Sequence, residues 1–129
     1  MTPTTPSTVA FVGYLAHKYP TLGDIFNEHY EFNNQDILPH PLISDYLRDI
    51  ETSDMALDWH RAFFDDIESA FSMGDCDLTG LISVSLLEHL PCNKNGLATD
   101  HWIIGLIGPK CLKKYKCIFG LRKRIFGLR

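Results

Sequence analysis

"SDMALDWHRAFFDDIESAFSM", residues 53 to 73, decides how the rest of the chain is read. Ala56, Trp59, Phe63, Ile67 and Ala70 recur at steps of three and four, and so do Asp54, Asp58, Arg61, Asp65 and Glu68. At about 100° per residue the two sets fall on opposite sides of one long helix. One side enters a core, and the other is an exposed, almost wholly acidic stripe. Asp66 is rotated toward the apolar side and is expected at the boundary, paired with His60 or with a lysine or arginine.

Helix-period patterns also dominate on either side of this segment, and no stretch alternates apolar and polar residues as a half-buried strand would. The expectation is an all-α single domain of about six or seven helices over residues 1–120. Residues 121–129 form a basic tail that frays beyond Gly120. Ser7 caps a first helix with Phe11, Val12, Leu15 and Tyr19 inward, and Pro20 stops it. Thr21 opens a second helix carrying Leu22, Ile25, Phe26 and Tyr30. "EFNNQDILPHPL" (31–42) reads as a loop whose two prolines keep the backbone around His40 extended. A third helix from about Pro41 to Thr52 turns Leu42, Ile43, Tyr46, Leu47 and Ile50 inward.

Past the long helix, "GDCDLTG" (74–80) reads as a loop leading to a helix from Ser83 to Leu90. A "PCNKNG" loop follows, and Thr99 or Asp100 caps a helix through Trp102, Ile103, Leu106 and Ile107. Gly108-Pro109 breaks it, and Pro109 opens a last helix with Cys111, Leu112, Tyr115, Ile118 and Phe119 on its apolar side. The pentapeptide "IFGLR" occurs at 118–122 and again at 125–129.

The net charge of −4 hides a sharp division. Residues 1–109 hold all sixteen acids against Lys18, Arg48, Arg61 and Lys94, a net of −12. Residues 110–129 hold eight basic residues and no acid, a net of +8. A body so charged repels nucleic acid and attracts basic proteins.

The opening "MTPTTPSTVAFVGYLAHKYP" lacks the basic start and unbroken apolar run of a secretory signal, and no run reaches the roughly eighteen apolar residues of a membrane span. The chain is therefore expected to be cytoplasmic, with its four cysteines (76, 92, 111, 117) reduced and mostly structural. No two cysteines are spaced C-x-x-C, and no two histidines stand four apart on a helix, so no zinc site and no cofactor are expected.

"GDCDLTGLISVSLLEHL" (74–90) imitates a calcium loop. Counted from Asp75, the residues Asp75, Asp77, Thr79 and Ser83 fall at positions 1, 3, 5 and 9, with Gly80 at position 6. Position 12, which needs a bidentate glutamate, is Leu86. Glu88 lies two residues on, a rotation of about 200° away along a helix. The loop is expected to be a turn, with Asp75 and Asp77 favouring it, Gly80 left-handed, and Thr79 or Ser83 capping the next helix.

A hydrolase would need a nucleophile with a neighbouring base, and the chain carries neither G-x-S-x-G nor a phosphate loop. His40, between two prolines, is the residue best placed for such a role, and ordering a helix end accounts for it more simply. The tail "KCLKKYKCIFGLRKRIFGLR" (110–129) interleaves basic and apolar residues as a membrane-surface helix does, which gives a second reading of the chain as a peripheral membrane protein. Charge pairing of this tail with the acidic body explains the same residues.

"FNEHYEFNNQDILPHPLISDYLRDI" (26–50), "LISVSLLEHL" (81–90) and "GLIGPKCLKKY" (105–115) resemble a group of small bacterial helical proteins. The shared features are Leu38-Pro39-His40 after two helices, Ile82 to Glu88, and Gly108-Pro109 before the last helix. These proteins look like immunity proteins, the neutralising partners of polymorphic toxins. The likeness covers about two thirds of the chain and transfers no catalytic residue. It implies a non-enzymatic neutraliser of a basic toxin, such as a nuclease. The charge reading agrees, because carboxylates opposite a positive cleft mimic its substrate and speed capture. The residues expected to do this are Asp54, Asp58, Asp65 and Glu68, with Asp45, Asp49 and Glu51 as a second patch.

Overall fold

The computed structural model describes residues 6–90 and 102–125, with side chains for 7–90 and 102–118. Six α-helices follow one another: α1 (Pro6–Lys18), α2 (Pro20–Phe32), α3 (Pro39–Glu51), α4 (Asp58–Ser72), α5 (Cys76–Ser85) and α6 (Pro109–Ile125). Two short 3-10 segments, Leu87–His89 and Trp102–Leu106, complete the described elements, and no strand occurs among the described residues. The fold is all-α, as the periodicity predicts.

Four of the helices begin at a proline; in α1 it is Pro6, so Ser7 lies inside that helix instead of capping it. Pro20, Pro39 and Pro109 each occupy the first helical position, where a missing N–H costs nothing because the helix offers it no acceptor. Pro20 therefore opens α2 one residue after α1 ends, and Thr21 lies inside α2 instead of capping it. Pro39 and Pro41 both sit in the first turn of α3. The backbone around His40 is thus helical, where an extended loop was expected.

The long helix is shorter than its pattern suggests. Residues 53–57 form a bend, with Met55, Ala56 and Leu57 exposed, and α4 begins at Asp58. The hydroxyls of Thr52 and Ser53 donate to the Asp49 carbonyl (3.1 and 3.5 Å), which closes α3. The Leu57 N–H donates to His60 Nδ1 (3.0 Å), which starts α4. Asp54 and Ala56 consequently lie before the helix, and neither belongs to a face of it.

The expected "GDCDLTG" loop is mostly helix. Gly74, at φ 78°, makes the turn, and the Asp75 carboxylate caps α5 by accepting the Leu78 N–H at 3.0 Å. Leu78, Leu81 and Ile82 are buried, each worth about 1.5–3 kcal/mol, against about 1 kcal/mol for holding Gly80 in a helix. Gly80 is helical rather than left-handed. The helix expected over 83–90 is the end of α5 plus a 3-10 turn. Trp102–Leu106 is likewise 3-10 and not α-helix, and the "PCNKNG" loop, Thr99 and Asp100 lie outside the described residues.

The core runs through all six helices. Tyr46, Phe63, Phe64, Leu15, Leu22 and Leu81 are among its fully buried side chains, and the Tyr46 hydroxyl donates to the Val12 carbonyl at 2.9 Å. Gly23 lets α1 and α2 approach closely, since a Cβ there would stand 3.0 Å from the Ala16 carbonyl oxygen. Cys111 and Tyr115 bury the inner side of α6 against α4 and the Leu87–His89 turn. Burial pushes the Cys111 thiol up to about 12, with a hydrogen bond to Glu68 adding to the shift. Among the described residues no helix is long and apolar enough to cross a membrane.

Candidate functional site

The end of α2 is held by its own side chains. The Asn33 amide donates to the His29 carbonyl (2.8 Å), the Gln35 N–H donates to the Tyr30 carbonyl (2.8 Å), and the Leu38 N–H donates to His29 Nε2 (3.1 Å). Asn34 and Gln35 take positive φ (55° and 68°), which reverses the chain in three residues. α3 is thereby set beside α2, but the two helices do not close against each other at this end.

An open groove of about 790 Å³ lies between them. Ile25, Leu38, Pro41 and Phe32 are its apolar lining, with Phe32 87% exposed. Glu28, exposed, and Asp45 and Asp49, half-buried, are its acids. The one cation among its lining residues is Arg48, paired with Asp45 at 3.1 Å on the surface. The groove therefore joins four apolar side chains to three carboxylates against one guanidinium.

The seven acids expected to meet a partner separate into four environments. Asp45 and Asp49 come together in the groove, and Glu51 follows them, half-buried, at the end of α3. Asp58 and Asp65 are exposed on α4, with Arg61 exposed between them. Asp54 is exposed in the bend before that helix. Glu68 is turned inward: its carboxylate accepts the backbone N–H groups of Lys110 (2.9 Å) and Cys111 (3.0 Å) at the start of α6. Burial pushes its pKa up, but the bonds from Cys111 and Lys110 outweigh this and leave it below the ordinary value.

Asp66 has the partner its position called for. Its carboxylate takes Lys18 Nζ at 3.0 and 3.1 Å and the Tyr19 hydroxyl at 2.5 Å, tying α4 to the end of α1. The Tyr19 phenol is pushed up to about 12 by burial and by this bond to a carboxylate, and the Lys18 ammonium is raised by the same acid.

His40 orders a helix end. Its Nδ1 bonds the Ser85 hydroxyl while Ser44 Oγ donates to the Ser85 carbonyl (2.9 Å), so α3 holds the last turn of α5. His60 is fully buried, stacked on Trp102 with ring centroids 5.5 Å apart, and its Nδ1 accepts the Leu57 N–H. That bond fixes the proton on Nε2, which has no partner among the described residues.

Asp77 and Thr79 lie within α5, where the Thr79 hydroxyl donates to the Cys76 carbonyl (3.1 Å), and Ser83 is further along the same helix. With Asp75 spent as a cap, these residues do not form the calcium-loop geometry that their spacing imitates. No group of three or more metal-ligating side chains occurs among the described residues. On α6, Cys111, Leu112, Tyr115 and Ile118 face the core, and Lys110, Lys113, Lys114 and Lys116 are exposed. The apolar side that a membrane-surface helix would insert is therefore used inside the fold over these residues. Among the described residues Lys18–Asp66 and Arg48–Asp45 form ion pairs; Lys113, Lys114 and Lys116 form none with a described acid, and the charge of Lys110 acts on Glu68.

Compared with protein-family models, with curated proteins and with solved structures, the chain finds no match.

Glu28, Ile25 and Phe32 are the groove residues that sequence reasoning missed. Their signal was Phe32 standing next to "NNQ", an aromatic at a helix end with nothing after it to cover it.

Proposed function

We propose that this chain is a non-enzymatic binding protein that captures a basic protein through the groove between α2 and α3. The observation that carries this reading is the conjunction in one open cleft of an exposed Phe32, the apolar side chains of Ile25, Leu38 and Pro41, and the carboxylates of Glu28, Asp45 and Asp49. Apolar area with an aromatic anchor supplies affinity. Carboxylates at the edge supply approach speed and orientation. Asp58 and Asp65, exposed on α4, extend the negative potential beyond the groove. A basic toxin domain such as a nuclease is the partner of this chemistry. The chain would act in the cytoplasm as the toxin's stoichiometric, immunity-like neutraliser, with no cofactor and no bond-making step.

Where the neighbouring gene encodes a basic toxin domain, growth of bacteria expressing that domain tests the reading. The wild-type chain restores growth. Glu28→Lys with Asp45→Lys abolishes protection while leaving the fold intact. Asp58→Lys with Asp65→Lys weakens protection only through slower association. Full protection by the first variant overturns the groove as the binding surface.

A further inference from the structure

The groove is lined by three carboxylates against a single guanidinium already paired with Asp45, and by the apolar side chains of Ile25, Phe32, Leu38 and Pro41. One segment of this same chain has the complementary chemistry. Residues 118–129, "IFGLRKRIFGLR", contain two copies of a pentapeptide that places Ile, Phe and Leu beside an arginine, plus Lys123 and Arg124 between the copies. Past Ile118, which packs on its own core, this leaves five large apolar residues (Phe119, Leu121, Ile125, Phe126 and Leu128) and four positive charges (Arg122, Lys123, Arg124 and Arg129) with no acid to offset them. Lys113, Lys114 and Lys116 of α6, which precede it, are exposed and form no ion pair with an acid among the described residues.

We propose that the α2–α3 groove of one copy receives the C-terminal "FGLRKRIFGLR" segment, residues 119–129, of a second copy, so that the chain self-associates. The inference rests on the groove being a docking surface, as in the proposed function, and adds a second occupant for it. The contact is between two different patches, a heterologous interface, and it is dominated by charge at its edge. Self-association therefore weakens with salt, and a basic partner that takes the groove dissolves it.

Sedimentation velocity on the full chain, across protein concentration at low and at high salt, tests this. The wild type associates with rising concentration, and its association constant falls by about tenfold or more as added salt shortens the screening length from about 30 Å toward 3 Å. Glu28→Lys with Asp45→Lys is monomeric, and so is Arg122→Glu with Arg129→Glu. Each is paired with a circular dichroism spectrum to establish that helicity is kept. An equimolar mixture of the two variants associates again, because the reversed groove of one meets the reversed segment of the other. A monomeric wild type at every concentration overturns the proposal, including the case in which the segment folds onto its own groove. Association that survives either double substitution overturns it too, and so does a mixture that stays monomeric. Loss of toxin protection in Glu28→Lys with Asp45→Lys beside a monomeric wild type would leave the proposed function standing and remove only this inference.

Discussion

Glu68 of α4 accepts the Cys111 backbone N–H at 3.0 Å, so the acid that ends the α4 stripe is the N-terminal cap of α6. The residue at the cap position itself is Gly108, whose carbonyl accepts the Leu112 N–H at 2.8 Å and whose missing side chain leaves room for the carboxylate. A Cβ on Gly108 would stand 2.5 Å from Glu68 Cδ. Glu68→Ala is expected to cost about 1–2 kcal/mol of stability, the usual loss for a removed cap. Gly108→Ala is expected to destabilise the protein as well, because it pushes the carboxylate off the helix end. Urea unfolding of both variants, and of the pair combined, measures this, and the double variant is expected to cost less than the sum. Since the Glu68 pKa is lowered in the fold, its contribution is present above the ordinary value of 4.5 and is lost as pH falls through the folded value.

Half-buried His40 and fully buried His60 make a second pH dependence at higher pH. Burial lowers the pKa of both His40 and His60 below the ordinary 6.5, with Asp49 opposing part of the shift at His60. The unfolded chain therefore binds more protons than the folded one just below pH 6.5, and stability falls as pH drops through that window. The slope is at most about 1.4 kcal/mol per pH unit for each histidine. His60→Gln is expected to flatten this slope by one proton's share, measured as urea-unfolding free energy against pH from neutral downward.

Asp66 is worth more than its visible ion pair. Its loss leaves the Tyr19 hydroxyl, on a side chain only 4% exposed, without its acceptor, whereas the loss of Lys18 leaves that bond in place. Asp66→Ala is therefore expected to lower the thermal midpoint more than Lys18→Ala does. Equal losses in the two variants would show that the ion pair, not the tyrosine bond, carries the contact.

Phe32 separates folding from binding. At 87% exposure it adds little to the core, so Phe32→Ser is expected to shift unfolding free energy by no more than about 0.5 kcal/mol. The same substitution removes the aromatic anchor of the groove and is expected to speed dissociation of the basic partner about tenfold or more. Stopped-flow or surface kinetics resolve this from the charge variants, which act mainly on the association rate.

Much of the core was legible from spacing alone. The α3 set Leu42, Ile43, Tyr46, Leu47 and Ile50 is buried throughout, and so are Phe63, Ile67 and Ala70 of α4. The α5 helix was hidden by turn-forming residues at its start, although Leu78, Leu81 and Ile82 already carried helical spacing. Turn chemistry at Asp75 and Asp77 favours a loop there, and the burial of three apolar positions outweighs it. The position of Glu68 could not be read from periodicity, which places a residue on a face but does not say which other helix end that face meets. The groove depends on the same non-local information. Asp45 and Asp49 were visible as acids on α3, but Glu28 and Phe32 join them only because the Asn33–Gln35 turn sets two helices side by side.

The most direct measurement is a nuclear magnetic resonance titration of the full, nitrogen-labelled chain with an arginine-rich amphipathic peptide as the basic probe. Amide shifts concentrated at Ile25, Glu28, Phe32, Leu38, Asp45 and Asp49, and abolished by Glu28→Lys with Asp45→Lys, are the predicted result. Shifts centred instead on Asp75 and Asp77, or spread evenly over every exposed carboxylate, would contradict it.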